Sequence, residues 1–304
     1  MGTENDTLNG SKATHRSGFV AIIGRPHVGK STLLNQLLGQ KVAIVTPKPQ
    51  TTRQRILGIK TSAAAQIIFI DTPGLHQPRS LLNQRMVEVA QRALDEADVA
   101  LWVVDAVTGV TAADRYIAEA VGGRTRPLVV VLNKIDGLAR NALLPVIAMI
   151  DQLLPGRDVV PVSAARGTNL DELLTQIIRA LPEGPRYYDA DTWTDQTERM
   201  LVQEAVREQL LLQMRDEVPY CVAVTVDQFE EKERVAVIKA TIHVERESQK
   251  RMVIGAGGAR IKSIGRAARL ELEKVLGRRL YLELFVRVQE GWTTREALLK
   301  EFGL

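Results

Sequence analysis

Gly24-Arg25-Pro26-His27-Val28-Gly29-Lys30-Ser31 follows the apolar run Phe19-Val20-Ala21-Ile22-Ile23 and leads into Thr32-Leu33-Leu34-Asn35-Gln36-Leu37-Leu38. Strand, glycine-bounded turn, lysine, hydroxyl and helix in that order form the pattern of a phosphate-binding P-loop. Its glycines let backbone N–H groups wrap around phosphate oxygens. Lys30 reaches the β and γ phosphates, and Ser31 offers a hydroxyl to Mg²⁺. The helix that opens at Thr32 points its positive dipole end at the anion. Residues 24–32 are therefore expected to line a nucleotide phosphate site.

Outward from this loop, short apolar runs at 19–23, 66–70, 99–104, 128–132 and 159–162 alternate with helical patterns near 30–38, 82–95, 112–121, 142–154 and 169–180. The runs lack polar alternation, as strands covered on both faces do. An α/β domain over 18–181 follows, with a mainly parallel sheet and helices on both faces. Ligands in such sheets bind at the carboxyl ends of the strands. Pro182-Glu183-Gly184-Pro185 breaks the last helix and starts a linker over 182–194. A new pattern begins there: an amphipathic helix over 195–214, alternating strands over 220–229 and 235–244, helices over 247–254 and 259–276, and a strand over 280–286. The order αββααβ describes a smaller α+β domain over 195–290, with a tail over 291–304.

Three further motifs sit just after apolar runs of the first domain. Asp71-Thr72-Pro73-Gly74 places a carboxylate where it holds Mg²⁺ through water, and the Gly74 N–H where it senses a γ-phosphate. Asn133-Lys134-Ile135-Asp136 selects the base. Asp136 accepts from guanine N1–H and its 2-amino group, a donor pair that adenine lacks, while Asn133 and Lys134 brace the loops. Ser163-Ala164-Ala165 offers a backbone N–H to guanine O6. A lone Asn-Lys-x-Asp is more often a surface turn. Four pieces in this order, each after a strand, resemble the GTPases of the translation-factor class. That resemblance makes Thr52, in Thr46-Pro47-Lys48-Pro49-Gln50-Thr51-Thr52-Arg53, the second Mg²⁺ hydroxyl. Lys30, Thr52 and Gly74 form the expected catalytic set. Leu75 stands where many small GTPases carry a water-orienting glutamine, so slow basal turnover is expected.

The 304 residues suit two domains, because cores rarely grow past roughly 250 residues before splitting. A single cysteine excludes an internal disulfide and suggests a reducing cytosol; Cys221, in an apolar run, reads as a buried inert thiol. The four histidines show no metal spacing. Apolar stretches fall short of the roughly 18 residues of a membrane span, and residues 1–17 lack a signal-peptide core and read as a disordered lead-in. Any membrane contact would be peripheral. Net charge is only +4, but residues 245–280 hold ten Lys or Arg against four Glu, which marks an anion-facing patch.

Within that patch, Gly255-Ala256-Gly257-Gly258 forms a G-x-x-G loop between a short helix and a longer one. In KH domains such a loop clamps the backbone of about four nucleotides. Lys250, Arg251, Arg260 and Lys262 add charge, and Ile254 belongs to the apolar side expected to take unstacked bases. The bland alternative is a helix corner that needs glycines for packing. The αββααβ order is that of a type II KH domain.

A GTPase domain joined to such a domain resembles the bacterial Era GTPases over about residues 18–303. The likeness includes Gly24-Arg25-Pro26, Gln50-Thr51-Thr52-Arg53, Asp71-Thr72-Pro73-Gly74-Leu75-His76, Val244-Glu245-Arg246-Glu247, Ile261-Lys262-Ser263-Ile264-Gly265 and Gly291-Trp292. This resemblance implies a GTP-regulated, cytoplasmic and monomeric factor that uses GTP/GDP and Mg²⁺. It would bind single-stranded RNA at the 3′ end of 16S rRNA and assist 30S assembly; peripheral contact with the inner face of the membrane is known in the family. Two positions depart from the pattern. His27 replaces an Asn whose oxygen serves the cation in K⁺-stimulated relatives, so potassium stimulation is expected to be weak or absent. Ala256 replaces a basic residue often found there, which removes one phosphate contact. Rival readings are an RNA-binding assembly protein with a vestigial nucleotide pocket, a GTP switch acting on a membrane or protein partner, and a P-loop kinase or ATPase.

Overall fold

The computed structural model describes residues 15–304 apart from 49, 79, 216, 217 and 234. The expected disordered lead-in lies, as far as residue 14, outside the described residues. Its last residues do not belong to it, because β1 (Arg16–Ile23) starts at Arg16. Polar Arg16 and Ser17 hide this start in the sequence, yet Arg16 N–H bonds the Ala64 carbonyl at 3.1 Å and Ser17 N–H that of Pro182 at 3.1 Å.

The first domain then runs α1 (Lys30–Leu38), β2 (Ile56–Thr61), β3 (Ala65–Asp71), α2 (Leu81–Glu96), β4 (Val99–Asp105), α3 (Ala112–Gly122), β5 (Leu128–Asn133), α4 (Leu143–Leu153), β6 (Val159–Pro161) and α5 (Leu170–Ala180). The six strands lie in the order β2-β3-β1-β4-β5-β6, all parallel except β2, which pairs antiparallel with β3. β2 was not expected from the sequence. Its apolar run is cut by Gly58 and ends in Lys60-Thr61, as an edge strand allows. Every residue of β3, β4 and β5 is buried. One apolar cluster packs beneath α1 and α5, and a second beneath α2, α3 and α4. Each fully buried Val, Leu or Ile contributes about 1.5–3 kcal/mol to this three-layer core. The layers hold the carboxyl ends of β1, β3, β5 and β6 at one rim.

The second domain comprises α6 (Glu198–Gln213), β7 (Ala223–Lys232), β8 (Val235–Val244), α7 (Glu247–Ile254), α8 (Ala259–Leu276) and β9 (Leu280–Val288). β8 is central, antiparallel to β7 and parallel to β9. Its alternate residues Ala236, Ile238, Ala240, Ile242 and Val244 are buried in one cluster with Val206 and Leu210 of α6 and Ile264 and Ala268 of α8. Residues 218–221 form a 3-10 turn instead of extending the strand, so Cys221 is half-buried in that turn.

The linker and the tail both pack between the domains. Residues 182–194 are not a loose strap: Gln66 Oε1 accepts from Tyr187 N–H and Tyr188 N–H, and Ile59 N–H bonds the Trp193 carbonyl at 2.9 Å. The edge of β2 has unpaired backbone groups, and the linker satisfies them. The tail folds back through α9 (Glu296–Glu301). Trp292, Leu299 and Phe302 pack with Ala223 and with Leu82 and Met86 of α2. Trp292 is fully buried, and its indole N–H donates to the Cys221 carbonyl at 3.2 Å. Trp292→Ala is expected to destabilise the native state by about 3–5 kcal/mol, read as a lowered urea midpoint of unfolding.

Candidate functional site

The loop after β1 turns through unusual backbone. Gly24, His27 and Gly29 have φ of 155°, 68° and 95°. A Cβ on Gly29 would lie 2.4 Å from the Asn133 Nδ2, so that position must be bare. The Asn133 amide donates to the Val28 carbonyl at 2.8 Å, and its oxygen accepts from Ala164 N–H at 2.9 Å. One side chain thus ties together the P-loop, the loop after β5 and the loop after β6.

Lys30 points into the cradle and donates to the Gly24 and Arg25 carbonyls at 3.1 and 3.2 Å. Burial pulls its pKa down to about 8, with Asp71 opposing and Arg25 reinforcing the shift. Arg25 contributes only backbone here. Its guanidinium turns away to the buried Asp114 of α3, with Nε donating at 3.1 Å, and to Thr108. A desolvated carboxylate in need of a cation explains why this guanidinium points away from the cradle.

At the mouth of the cradle three oxygens converge. Ser31 Oγ donates to Asp71 Oδ2 at 2.6 Å, and Thr52 Oγ1 lies 3.0 Å from Ser31 Oγ and 3.2 Å from Asp71 Oδ2. Asp71 Oδ1 is buried with no hydrogen-bond partner. Burial raises the Asp71 pKa, while Lys30, Ser31 and Thr52 act the other way. Two hydroxyls and a carboxylate with an orphaned oxygen are a hard-oxygen set suited to Mg²⁺. Gly74 crosses above the loop, where a Cβ would meet Pro26 at 2.7 Å, and Leu75 N–H bonds the Gly24 carbonyl. Leu75 itself is only 2% exposed, inside the apolar cluster, and cannot face an attacking water.

At the other end, Ser163 Oγ donates to Asp136 Oδ1 at 2.5 Å. This bond, ahead of the Arg166 and Lys134 charges, lowers the Asp136 pKa and keeps it an acceptor. Lys134 donates to the His27 carbonyl at 2.6 Å and to Asp105 Oδ2 at 2.8 Å. Asp105 and Asp114 escaped the sequence reading. For Asp105 the signal was present, a carboxylate closing the apolar run of β4. The His27 ring is exposed; partial desolvation, then the Lys134, Lys30 and Arg25 cations, keep its pKa below the ordinary imidazole range. Thr32, in the first turn of α1, is half-buried, and Ala165, on the loop after β6, is exposed. A cleft of about 540 Å³ joins Pro26, Lys30, Ser31, Thr52, Gly74 and Lys134.

In the second domain α7 ends at Gly255, with φ of 73°, and a 3-10 turn over Ala256–Gly258 leads into α8. A Cβ at Gly255 would meet the Cβ of Arg260 at 2.8 Å. Gly257 and Gly258 have positive φ but open space around them, so they are needed for backbone shape and leave the loop accessible. Lys250 is half-buried, while Arg251, Arg260 and Lys262 are exposed; Arg260 donates back to the Met252 carbonyl at 2.6 Å. Ile254 is half-buried beside the loop.

Residues 19–134 match the family described as 50S ribosome-binding GTPase, and residues 217–293 match the KH domain family. GTPase Era of Geobacter metallireducens is 49% identical over 290 residues, covering 95% of this chain and 97% of that protein. The chain belongs to the Era GTPase family. GTPase Era of Heliobacterium modesticaldum is 45% identical over 95% of the chain and 97% of its own length. A crystal structure of Era with MgGDPNP and nucleotides 1506–1542 of 16S ribosomal RNA superposes with a TM-score of 0.93 at 44% identity, covering 95% of this chain and 99% of that one. A variant of Aquifex aeolicus Era bound to GDP·AlF4⁻ gives 0.92 at 43% identity, with the same coverages. This Era-family chain is a GTPase with a C-terminal KH domain. No helix among its described residues is long and apolar enough to cross a membrane.

A phosphate seated on Lys30 would favour its charged form, so nucleotide binding there would take up a proton above about pH 8. GTP affinity should therefore fall as pH rises through that value. Titration calorimetry near pH 9 in two buffers of different ionisation heat should report the uptake.

Proposed function

We propose that residues 24–32 cradle the phosphates of GTP, with Lys30 on the β and γ groups, and that Asn133, Lys134, Asp136 and Ser163-Ala164-Ala165 hold guanine. Mg²⁺, where bound, neutralises charge on the phosphates; Ser31 and Thr52 would hold it directly and Asp71 through water. The protein's own part in hydrolysis is positioning and charge: Lys30 and the Gly74 N–H face the γ-phosphate, and Thr52 orders the loop around it. With a buried Leu75, not a glutamine, directly after Gly74, turnover is slow. The observation that carries this reading is the convergence of Ser31 and Thr52 on Asp71 Oδ2, with Asp71 Oδ1 buried and unpartnered, at the mouth of a cleft whose lining extends to Lys134.

The second half of the proposal is an RNA switch. Gly255 to Gly258, with Lys250, Arg251, Ile254, Arg260 and Lys262, clamps single-stranded RNA, and Ala256 leaves the clamp mainly to backbone groups. The Era complex with a 16S fragment supports the 3′ end of 16S rRNA as the target, and a role in 30S assembly follows for a monomeric, cytoplasmic factor. A Gly257→Asp/Gly258→Asp pair is expected to weaken binding of a 16S 3′-terminal oligonucleotide at least about tenfold through strain and charge repulsion, while GTP affinity stays unchanged. Electrophoretic shift and calorimetry check the two halves separately.

The His27 ring offers nitrogen where a K⁺ ion wants oxygen. Single-turnover GTP hydrolysis by the purified protein is therefore expected to be slow and equal, within about twofold, in K⁺ and Na⁺. A fast rate, or a large K⁺-specific gain, would contradict this.

A further inference from the structure

Thr52 is the only one of the three convergent oxygens that lies outside a helix or strand, so something else must fix it. The C-terminal domain touches its segment on both sides. Upstream, Val45 N–H donates to Glu208 Oε1 at 2.9 Å, and the Lys48 ammonium donates to the Met214 carbonyl. Downstream, the buried Arg53 guanidinium donates to the Val222 and Tyr220 carbonyls at 2.6 and 2.9 Å and lies 5.9 Å from the Trp292 ring centroid. Between them, Arg207 of α6 donates to the Thr51 carbonyl. That carbonyl and the Thr52 N–H belong to one planar peptide unit, so gripping one orients the other.

Arg207 is itself held. Its Nε donates to Glu204 Oε1 at 2.8 Å and its Nη2 to Glu204 Oε2 at 2.6 Å, a two-point fork that fixes the guanidinium plane. The residue is 4% exposed, and its Nη1 is buried with no hydrogen-bond partner. Glue between two domains needs no desolvated cation aimed at a loop carbonyl; an apolar side chain of the same length would pack as well.

We propose that Arg207, aimed by Glu204, is a positioning residue for GTP hydrolysis, supplied by the C-terminal domain to hold the Thr52 hydroxyl at the magnesium site. The inference rests on the reading of Thr52 given under Proposed function. GDP binding does not need Thr52, because that hydroxyl serves the metal and the γ-phosphate. Loss of the grip therefore acts on hydrolysis and metal dependence and spares GDP affinity.

The full chain would be compared with Arg207→Met, Arg207→Lys, Glu204→Gln and Thr52→Ala, and with Arg278→Ala as a control. Arg278 pairs with Glu198 and Glu231 in the same domain, away from residues 45–53. Single-turnover hydrolysis is measured against Mg²⁺ concentration, and GDP affinity by calorimetry. The expected result for Arg207→Met is a rate lower by about tenfold or more, a higher half-saturating Mg²⁺ concentration, and GDP affinity within about twofold of the parent. Arg207→Lys, which keeps a charge without the fork, should fall between, and Arg278→Ala should match the parent. Unchanged hydrolysis and Mg²⁺ dependence in Arg207→Met with GDP binding intact would overturn the proposal, as would an equal loss in Arg278→Ala. If Arg207→Met fails to bind GDP, Arg207→Lys and Glu204→Gln decide by the same two readouts. If Thr52→Ala leaves Mg²⁺ dependence unmoved, the underlying placement of Thr52 is wrong and the proposal falls with it.

Discussion

One carboxamide holds the nucleotide end of the molecule together. Asn133 spans from the Val28 carbonyl to the Ala164 N–H, so three loops from three different strands share a single strut. Its reach depends on Gly29 having no side chain. Both groups it satisfies are buried backbone, and losing either bond would leave a desolvated amide or carbonyl. The strand order puts these loops side by side, since β1, β4, β5 and β6 are successive neighbours. The core supplies the rim, and Asn133 converts the rim into a defined cleft.

Much of this was legible in the residues. The unbroken apolar runs of β1, β3, β4 and β5 announce strands covered on both sides, and each motif marks the end of one. The glycine loop of the second domain was equally plain, because only bare backbone tolerates three positive φ angles there in four residues. Two kinds of feature were hidden. β2 is an edge strand with a glycine in it and a polar end, so neither hydrophobic run nor alternation is complete. The Asp114–Arg25 pair and the α6 contacts join residues far apart in sequence, and no local pattern encodes them. The Arg25 cation is visible in the sequence, but its buried partner Asp114, 89 residues away, is not.

The tail shows the same limit from another side. Residues 291–304 carry no strong periodic signal, yet they place Trp292 and Phe302 between the two domains. A closing Gly-Trp reads as punctuation in a sequence; in three dimensions it is the centre of an apolar joint against α2, the helix that follows Asp71 and Gly74. The C-terminal domain thus borders the Thr51-Thr52 segment through α6 and the helix after Gly74 through the tail.

Arg53 gives this boundary an unusual character. A fully apolar joint would be sealed by the water it excludes. Here a guanidinium sits in the seam on carbonyl oxygens, and burial, reinforced by Arg207, pulls its pKa down to about 9. Parting the domains would rehydrate that cation and recover part of the cost of enclosing it. The seam is therefore a latch rather than a weld, and its release is eased from within.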